Sequence, residues 1–133
     1  MAIVLGKITP FTSAARTATA NSDDIVAPST AKGVRLFLDI TAASGSSPTL
    51  DVKVQSKDPL GGLYVDMVGA AFAQQNSTAN LDLVIYPGVA ASSNRRVSDI
   101  IPKNWRVVAT LGGSSPNFTF SVLVEYLPIG GVG

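Results

Sequence analysis

The sequence lacks two of the residue types from which active sites are most often built. Its 133 residues include no cysteine and no histidine. Without cysteine there is no disulfide, thiolate metal ligand or thiol nucleophile. Without histidine, the usual general base at neutral pH and the commonest transition-metal ligand are missing. We therefore expect no enzymatic activity, no metal site and no cofactor.

Charge is also scarce. Charged residues make up 14% of the chain and leave a net charge of +1, whereas an ordinary soluble domain has about 25% charged residues. Basic residues do not cluster beyond the Arg95-Arg96 pair, so a nucleic-acid partner is not expected. Because 46% of the residues are hydrophobic, part of the surface is expected to be covered by other protein, as in a subunit of an assembly.

Long apolar runs are absent as well. No segment approaches the roughly 20 apolar residues that a membrane span needs. The opening stretch MAIVLGKITPF does not have the order of charge and apolar residues found in a secretory signal peptide. The sequence therefore predicts a protein made in a cytosol, without a membrane partner.

The dominant pattern in the chain is alternation of apolar and polar residues, which is typical of strands with one buried face. Helical spacing is nearly absent, and turn-rich stretches separate the alternating segments. The pattern predicts an all-β fold: an antiparallel, jelly-roll-like β-sandwich of about eight strands, with extended N- and C-terminal arms. The five clearest predicted strands are 34–42, 50–57, 81–86, 105–111 and 117–126.

One phrase occurs twice. Gly45-Ser46-Ser47-Pro48 returns 68 positions later as Gly113-Ser114-Ser115-Pro116, followed each time by an alternating strand. Because glycine permits positive φ and proline stops ladder pairing, we interpret each copy as the loop of a hairpin. Two such hairpins could face each other with twofold symmetry. The alternative is that glycine, serine and proline are simply common in turns.

The chain ends suggest contact with a neighbour. We divide the chain into an N-terminal arm or edge strand (1–11), a sandwich domain (12–127) and a flexible C-terminal tail (128–133). Apolar residues in the two ends, together with aromatic residues predicted on outer faces, form the candidate interface. Its residues are Ile3, Val4, Leu5, Phe11, Phe37, Tyr64, Tyr86, Leu127 and Ile129.

Two other groups of residues are candidate sites. Asp23-Asp24 is the one adjacent carboxylate pair, and a solvated turn explains it better than a cation site does. Phe37, Tyr64 and Tyr86 could form a sugar-binding platform, although scattered surface aromatics more often belong to interfaces.

Several phrases carry a resemblance to a known group. They are ARTATANS (15–22), VRLFLDITAASGSSPTLDVKVQSKDP (34–59), GAAFAQ (69–74) and WRVVATLGGSSPNFTFSVLVEY (105–126), and the resemblance they carry extends over most of the chain. They resemble the small β-sandwich virion proteins of tailed bacteriophages. The resemblance implies a non-enzymatic structural protein, a capsid decoration or cement protein that binds the major capsid protein. It carries over no catalytic residue.

This resemblance sets the functional expectations. The leading one is a decoration protein on the capsid surface, assembled in the bacterial host cytoplasm and self-associating symmetrically, for which a trimer is one option. A head-tail connector, neck or tail component is a close alternative. A carbohydrate-binding module for host adsorption is a third, from a different class.

Overall fold

A computed structural model describes residues 6–128, and every regular element in that range is a β-strand. The all-β prediction is confirmed, and the described residues contain no helix that could span a membrane. The eight strands are β1 (Lys7–Arg16), β2 (Ala20–Asn21), β3 (Ile25–Val26), β4 (Ala31–Lys57), β5 (Tyr64–Ala71), β6 (Ala79–Ile85), β7 (Arg96–Val97) and β8 (Asn104–Pro128).

Two long strands form the centre of one mixed sheet. The main strand order is β1-β8-β4-β6-β7, while β2 and β3 also pair with β8 and β5 pairs with β4. The pairings are antiparallel except that of β6 with β7, which is parallel. Strands β4 and β8 pair along nearly their whole lengths, from Ala31 opposite Pro128 to Ser56 opposite Trp105.

The five clearest strand predictions are confirmed, but four of them are halves of the two long strands. Segments 34–42 and 50–57 both lie in β4, and segments 105–111 and 117–126 both lie in β8. The prediction that each Gly-Ser-Ser-Pro phrase is a hairpin loop is therefore wrong. Each phrase lies inside a strand, where the β4–β8 pairing shifts register on both sides of the Ser46–Ser114 pair.

The two phrases lie opposite each other and have the same backbone conformation. Gly45 and Gly113 have φ of 118° and 95°, and Ser47 and Ser115 have φ of 47° and 48°. Ser46 pairs with Ser114, whereas the prolines of both phrases have no partner in the β4–β8 ladder. Proline has no N–H to donate, so the interruption of the ladder is where it can be accommodated.

Glycine is required here because the two backbones approach closely. A Cβ added to Gly45 would lie 2.7 Å from the carbonyl oxygen of Ser115. A Cβ on Gly113 would lie closer still to the carbonyl oxygen of Ser47. The repeated phrase is thus a reciprocal contact in which each glycine accommodates the other strand.

The core is lined by the apolar half of each alternation. Among its fully or nearly fully buried members are Val34, Leu36, Leu38, Leu50, Val52, Val54, Leu83, Ile85, Trp105, Val107, Phe118, Phe120, Val122 and Val124. Side chains from both halves of β4 and both halves of β8 belong to the same hydrophobic cluster. The apolar positions of the alternation therefore face this core, but Val84 and Val108, which the alternation places on the outward side, are also buried.

Strand β8 bends strongly between its two ends. Trp105 and Tyr126 are twenty-one positions apart, a separation of about 70 Å in a straight strand. Burial raises the pKa of Tyr126, and the nearby Trp105 indole partly offsets this rise. These side chains are therefore neighbours, although neither the indole Nε1 nor the phenol oxygen completes a hydrogen bond.

The predicted arm and tail boundaries fall within strands. Residues 7–11 are continuous with 12–16 in β1, which lies at one edge of the sheet. Pro128 is the last residue of β8. Segments 1–5 and 129–133 lie outside the described residues.

The close approach of Gly113 to the opposite strand leads to a prediction about stability. We expect Gly113→Ala to lower the free energy of unfolding by about 2–4 kcal/mol, because it combines unfavourable positive φ with a backbone clash. Gly88→Ala is the matched control, since Gly88 also has positive φ but a Cβ there would meet nothing within 4 Å. Its expected cost is about 1–2 kcal/mol. Urea denaturation measures both, and equal losses would show that the close approach costs nothing.

Candidate functional site

The candidate interface residues that lie within 6–128 do not form one patch. Ile3, Val4, Leu5 and Ile129 lie outside the described residues. Tyr64 begins β5, whereas Phe37, Tyr86 and Leu127 are half-buried on or beside the half of the sheet that contains β6. The structure brings Tyr86 and Leu127 near one another through Gly33, which pairs with Leu127 and on which a Cβ would meet the Tyr86 ring.

Phe11 is a core residue. Its side chain is only 4% exposed, and its ring lies 5.6 Å from that of Phe120. The guanidinium of Arg16 lies over both rings, 5.0 Å and 4.7 Å from their centroids. These contacts leave little of Phe11 for a partner, so a truncation that tests the N-terminal segment should stop before Lys7.

The richest polar cluster surrounds Asp24, one of the two carboxylates noted in the sequence. Lys57 Nζ lies 2.5 Å from Asp24 Oδ2, and the Tyr64 hydroxyl donates a hydrogen bond to Asp24 Oδ1. Arg106 stacks over the Tyr64 ring, 3.5 Å from its centroid. Asp24 therefore joins the β2–β3 connection to strands β4 and β5, a role beyond that of a solvated turn.

The same chain of contacts continues across the sheet. Arg106 Nε donates to Gln55 Oε1 at 2.8 Å, and Gln55 Nε2 donates to Asp66 Oδ1 at 2.8 Å. Lys53 Nζ lies 3.1 Å from the other oxygen of Asp66. We call the set Asp24, Lys53, Gln55, Lys57, Tyr64, Asp66 and Arg106 the polar ladder.

The contacts of the polar ladder keep its two carboxylates ionised, which suits a structural role better than acid-base catalysis. Hydrogen bonds from Lys57 and then Tyr64 lower the pKa of Asp24, and hydrogen bonds from Gln55 and then Lys53 lower the pKa of Asp66. A general acid needs a raised carboxyl pKa, whereas these carboxylates are anions bound to their own neighbours. No group of three or more potential metal ligands occurs among residues 6–128.

The ring of Tyr64 is engaged within the protein. Arg106 covers it closely, and Lys57 Nζ lies 5.6 Å from its centroid. A sugar platform needs an open aromatic face. Tyr64, one of the three aromatic residues of the predicted sugar platform, would have to release the stacked Arg106 guanidinium before that face of its ring could bind a sugar.

Exposed apolar residues concentrate in one segment that the sequence analysis did not assign to an interface. Four of the six large exposed hydrophobic residues of the described chain are Leu60, Leu63, Val65 and Val68. They lie in the β4–β5 turn and along β5, and we call them the β5 patch. The signal in the sequence is LGGLYVDMV, where apolar residues occupy both faces of a short strand without lysine or proline.

Two of the edge strands of the sheet, β1 and β5, differ in composition. Strand β1 carries Lys7, Pro10 and Arg16, and its pairing with β8 has two register shifts. Charge, proline and irregular pairing are the usual protections of an edge strand against unwanted pairing. Strand β5 pairs only with β4, contains no lysine, arginine or proline, and has its one carboxylate held by the polar ladder. Its pairing with β4 nevertheless shifts register between Lys53 and Gln55, and Gly69 within it has φ of 79°.

Comparison with known proteins supplies no identity. No family model, curated protein or solved structure matches the chain.

The polar ladder predicts a pH dependence of stability. Because the folded pKa of Asp24 lies below its unfolded value, its contribution is present above about pH 4 and is lost as pH falls through the folded pKa. The pKa of Lys57 is raised, chiefly by the hydrogen bond with Asp24. Its contribution is present below about pH 10.4 and is lost as pH rises through the folded pKa.

We expect Asp24→Asn to reduce stability at pH 7 and to flatten the loss between pH 5 and about pH 2. Urea denaturation at a series of pH values measures this. Asp23→Asn is the matched control, because the Asp23 carboxylate makes no hydrogen bond or ion pair with residues 6–128. An Asp24→Asn profile parallel to that of the native chain would contradict the prediction.

Proposed function

We propose that this chain is a non-enzymatic structural protein of a tailed-bacteriophage virion, a capsid decoration or cement protein. It self-associates, binds the major capsid protein and stabilises the head, and it is assembled in the host cytoplasm. The observation that carries the proposal is the β5 patch, which concentrates four exposed large apolar side chains in the β4–β5 turn and along β5. Such a concentration supports a role in which another protein covers these side chains.

The polar ladder also supports a structural role. Its charged groups bind one another, so they present neither a reactive group nor a field of one sign to a small substrate. An interface gains stability from burying apolar area, roughly 25 cal/mol per Å² before ordering costs are subtracted. A decoration protein multiplies a modest contact of this kind over many copies.

The fold proposed with this function is a β-sandwich formed by folding one sheet over itself. The support is the position of the core: both halves of β4 and β8 contribute to one hydrophobic cluster, and no helix within residues 6–128 is available to cover either half. Face-to-face packing buries both apolar faces at once. The jelly-roll-like connectivity stays a prediction.

Two alternatives remain as second candidates. A connector, neck or tail component would use the same β5 patch, and cryo-electron microscopy of the virion separates the two roles because decoration requires copies over the shell whereas a neck requires one ring. A glycan-binding module has less support, since Tyr64 is already stacked. Glycan binding that Tyr64→Ala or Tyr86→Ala abolishes would favour it.

The decisive experiment adds the purified protein to bare capsids that lack it. We expect saturable co-sedimentation and a rise in the temperature at which the capsids release their DNA or disassemble. Leu63→Lys and Val65→Lys, both in the β5 patch, should weaken binding at least tenfold, because a buried unpaired charge is costly. Val26→Lys is the matched control, since Val26 is also exposed but lies outside the patch. Failure of the native protein to bind capsids would overturn the decoration role.

A further inference from the structure

The first half of β4 carries a row of unlike side chains on the face turned away from the core. Alternate residues of this half are buried in the core, so Arg35, Phe37 and Asp39 lie on the opposite face, where all three are half-buried. The pairing register places Leu123 beside Phe37 and Glu125 beside Arg35. Residues opposite each other in a ladder share a face. We call these five residues the β4 face.

The charged groups of the β4 face are not used inside the described part of the chain. The Nε of Arg35 is buried and makes no hydrogen bond. The ion pairs found within residues 6–128 do not include Arg35, Asp39 or Glu125. Burying an unpaired charge is costly. A protein that covers the β4 face must therefore supply both an anion and a cation.

The two signs of charge on β4 are arranged symmetrically about an aromatic centre. Arg35 and Asp39 are each two residues from Phe37, about 7 Å along the strand. A second β4 that runs antiparallel over the first, with the two Phe37 rings at the centre, places each Arg35 opposite the Asp39 of the other copy. A parallel second β4 would place like charges opposite each other. The charge pattern therefore favours the antiparallel arrangement.

We propose that the β4 face binds the same face of a second copy of this chain, about a twofold axis that crosses β4 at Phe37. The inference rests on the proposed function, since it specifies the surface through which the subunits self-associate. A different partner would need an anion and a cation at the matching spacing, whereas a second copy has both. A twofold contact is self-complementary and closes at two copies.

The spacing of packed sheets suits this contact. Stacked sheets lie about 10 Å apart with their strands crossing at about 30°. At about 7 Å from the axis, this crossing displaces Arg35 from the facing Asp39 by only about 3–4 Å. The long side chain of arginine bridges such a displacement. Phe37 and Leu123 supply apolar area at the centre of the contact.

The neighbouring strand β6 does not oppose the contact. Asp82 lies beside Phe37 in register, so the Asp82 residues of the two copies approach each other. Each already binds Arg95 at 3.4 Å and Arg96 at 3.8 Å. The contact therefore brings no unpaired like charges together at this position. It does not use the β5 patch, which remains available to the major capsid protein.

The first test reverses charges and measures mass in solution by light scattering coupled to size exclusion. Arg35→Asp gives a face with two carboxylates on β4, and Asp39→Arg gives a face with two guanidinium groups. Each variant alone should dimerise at least about tenfold more weakly than the native chain, because like charges then meet. An equimolar mixture of the two should recover a dimer, because every carboxylate then faces a guanidinium.

A double variant and a matched control complete this test. Arg35→Asp combined with Asp39→Arg should dimerise on its own, since it restores the antiparallel match. Recovery in the mixture and in the double variant separates a lost contact from a lost fold, and far-UV circular dichroism checks folding directly. Asp23→Arg is the control, because it reverses the same charge in the β2–β3 connection. Its mass should equal that of the native dimer.

Three outcomes would overturn the proposal. The first is a native chain that stays monomeric at its highest soluble concentration. The second is an oligomer whose mass neither single reversal changes. The third is a mixture in which the two single variants remain separate, or a double variant that stays monomeric, since either result contradicts the antiparallel match.

These results are distinguishable from failure of the proposed function. A native chain that binds bare capsids but never dimerises contradicts only the twofold contact. A native chain that dimerises through the β4 face but never binds capsids contradicts only the decoration role.

Discussion

The continuous pairing of β4 with β8 is the constraint on which the rest of the structure depends. Strands β1, β2 and β3 attach to β8, and strands β5 and β6 attach to β4, so every other pairing except that of β7 uses one of these two strands. A slip of one residue would turn every apolar side chain to the opposite face. Both strands must also change direction without separating. Gly45 and Gly113 permit this change of direction, because a side chain at either position would clash with the backbone of the other strand.

The alternation in the sequence predicted the strands and their buried faces correctly, because a period of two is itself the geometry of a half-buried strand. It could not show that the Gly-Ser-Ser-Pro phrases continue a strand. Glycine, serine and proline are equally suited to a hairpin loop and to an interruption of a ladder. What distinguishes the cases is the partner: Ser46 lies opposite Ser114, a fact of tertiary structure that the local sequence does not contain.

The candidate site was harder to predict for the same reason. Asp24 contacts Lys57 and Tyr64, which are 33 and 40 positions away, and no local pattern links them. Phe11 was assigned to an N-terminal arm or edge strand and to the candidate interface because residues 1–11 are apolar, yet β1 carries it into the core against Phe120. By contrast, the exposed side chains of β5 were visible in the sequence as a strand apolar on both faces, a feature that indicates a second covering surface.

The distribution of charge differs between the faces and edges of the sheet. On the sheet face that carries the polar ladder, each carboxylate already has its cation or amide partner, so a protein docking there would have to break those bonds or bury them intact, at a cost in desolvation. At the β1 edge, lysine, proline and irregular pairing oppose strand addition. Strand β5 has no lysine, arginine or proline, but its pairing with β4 also shifts register, and the side chain of Asn94 bonds the Ala71 carbonyl at its end. The exposed apolar side chains of the β5 patch therefore stand on a strand whose irregular pairing opposes regular strand addition.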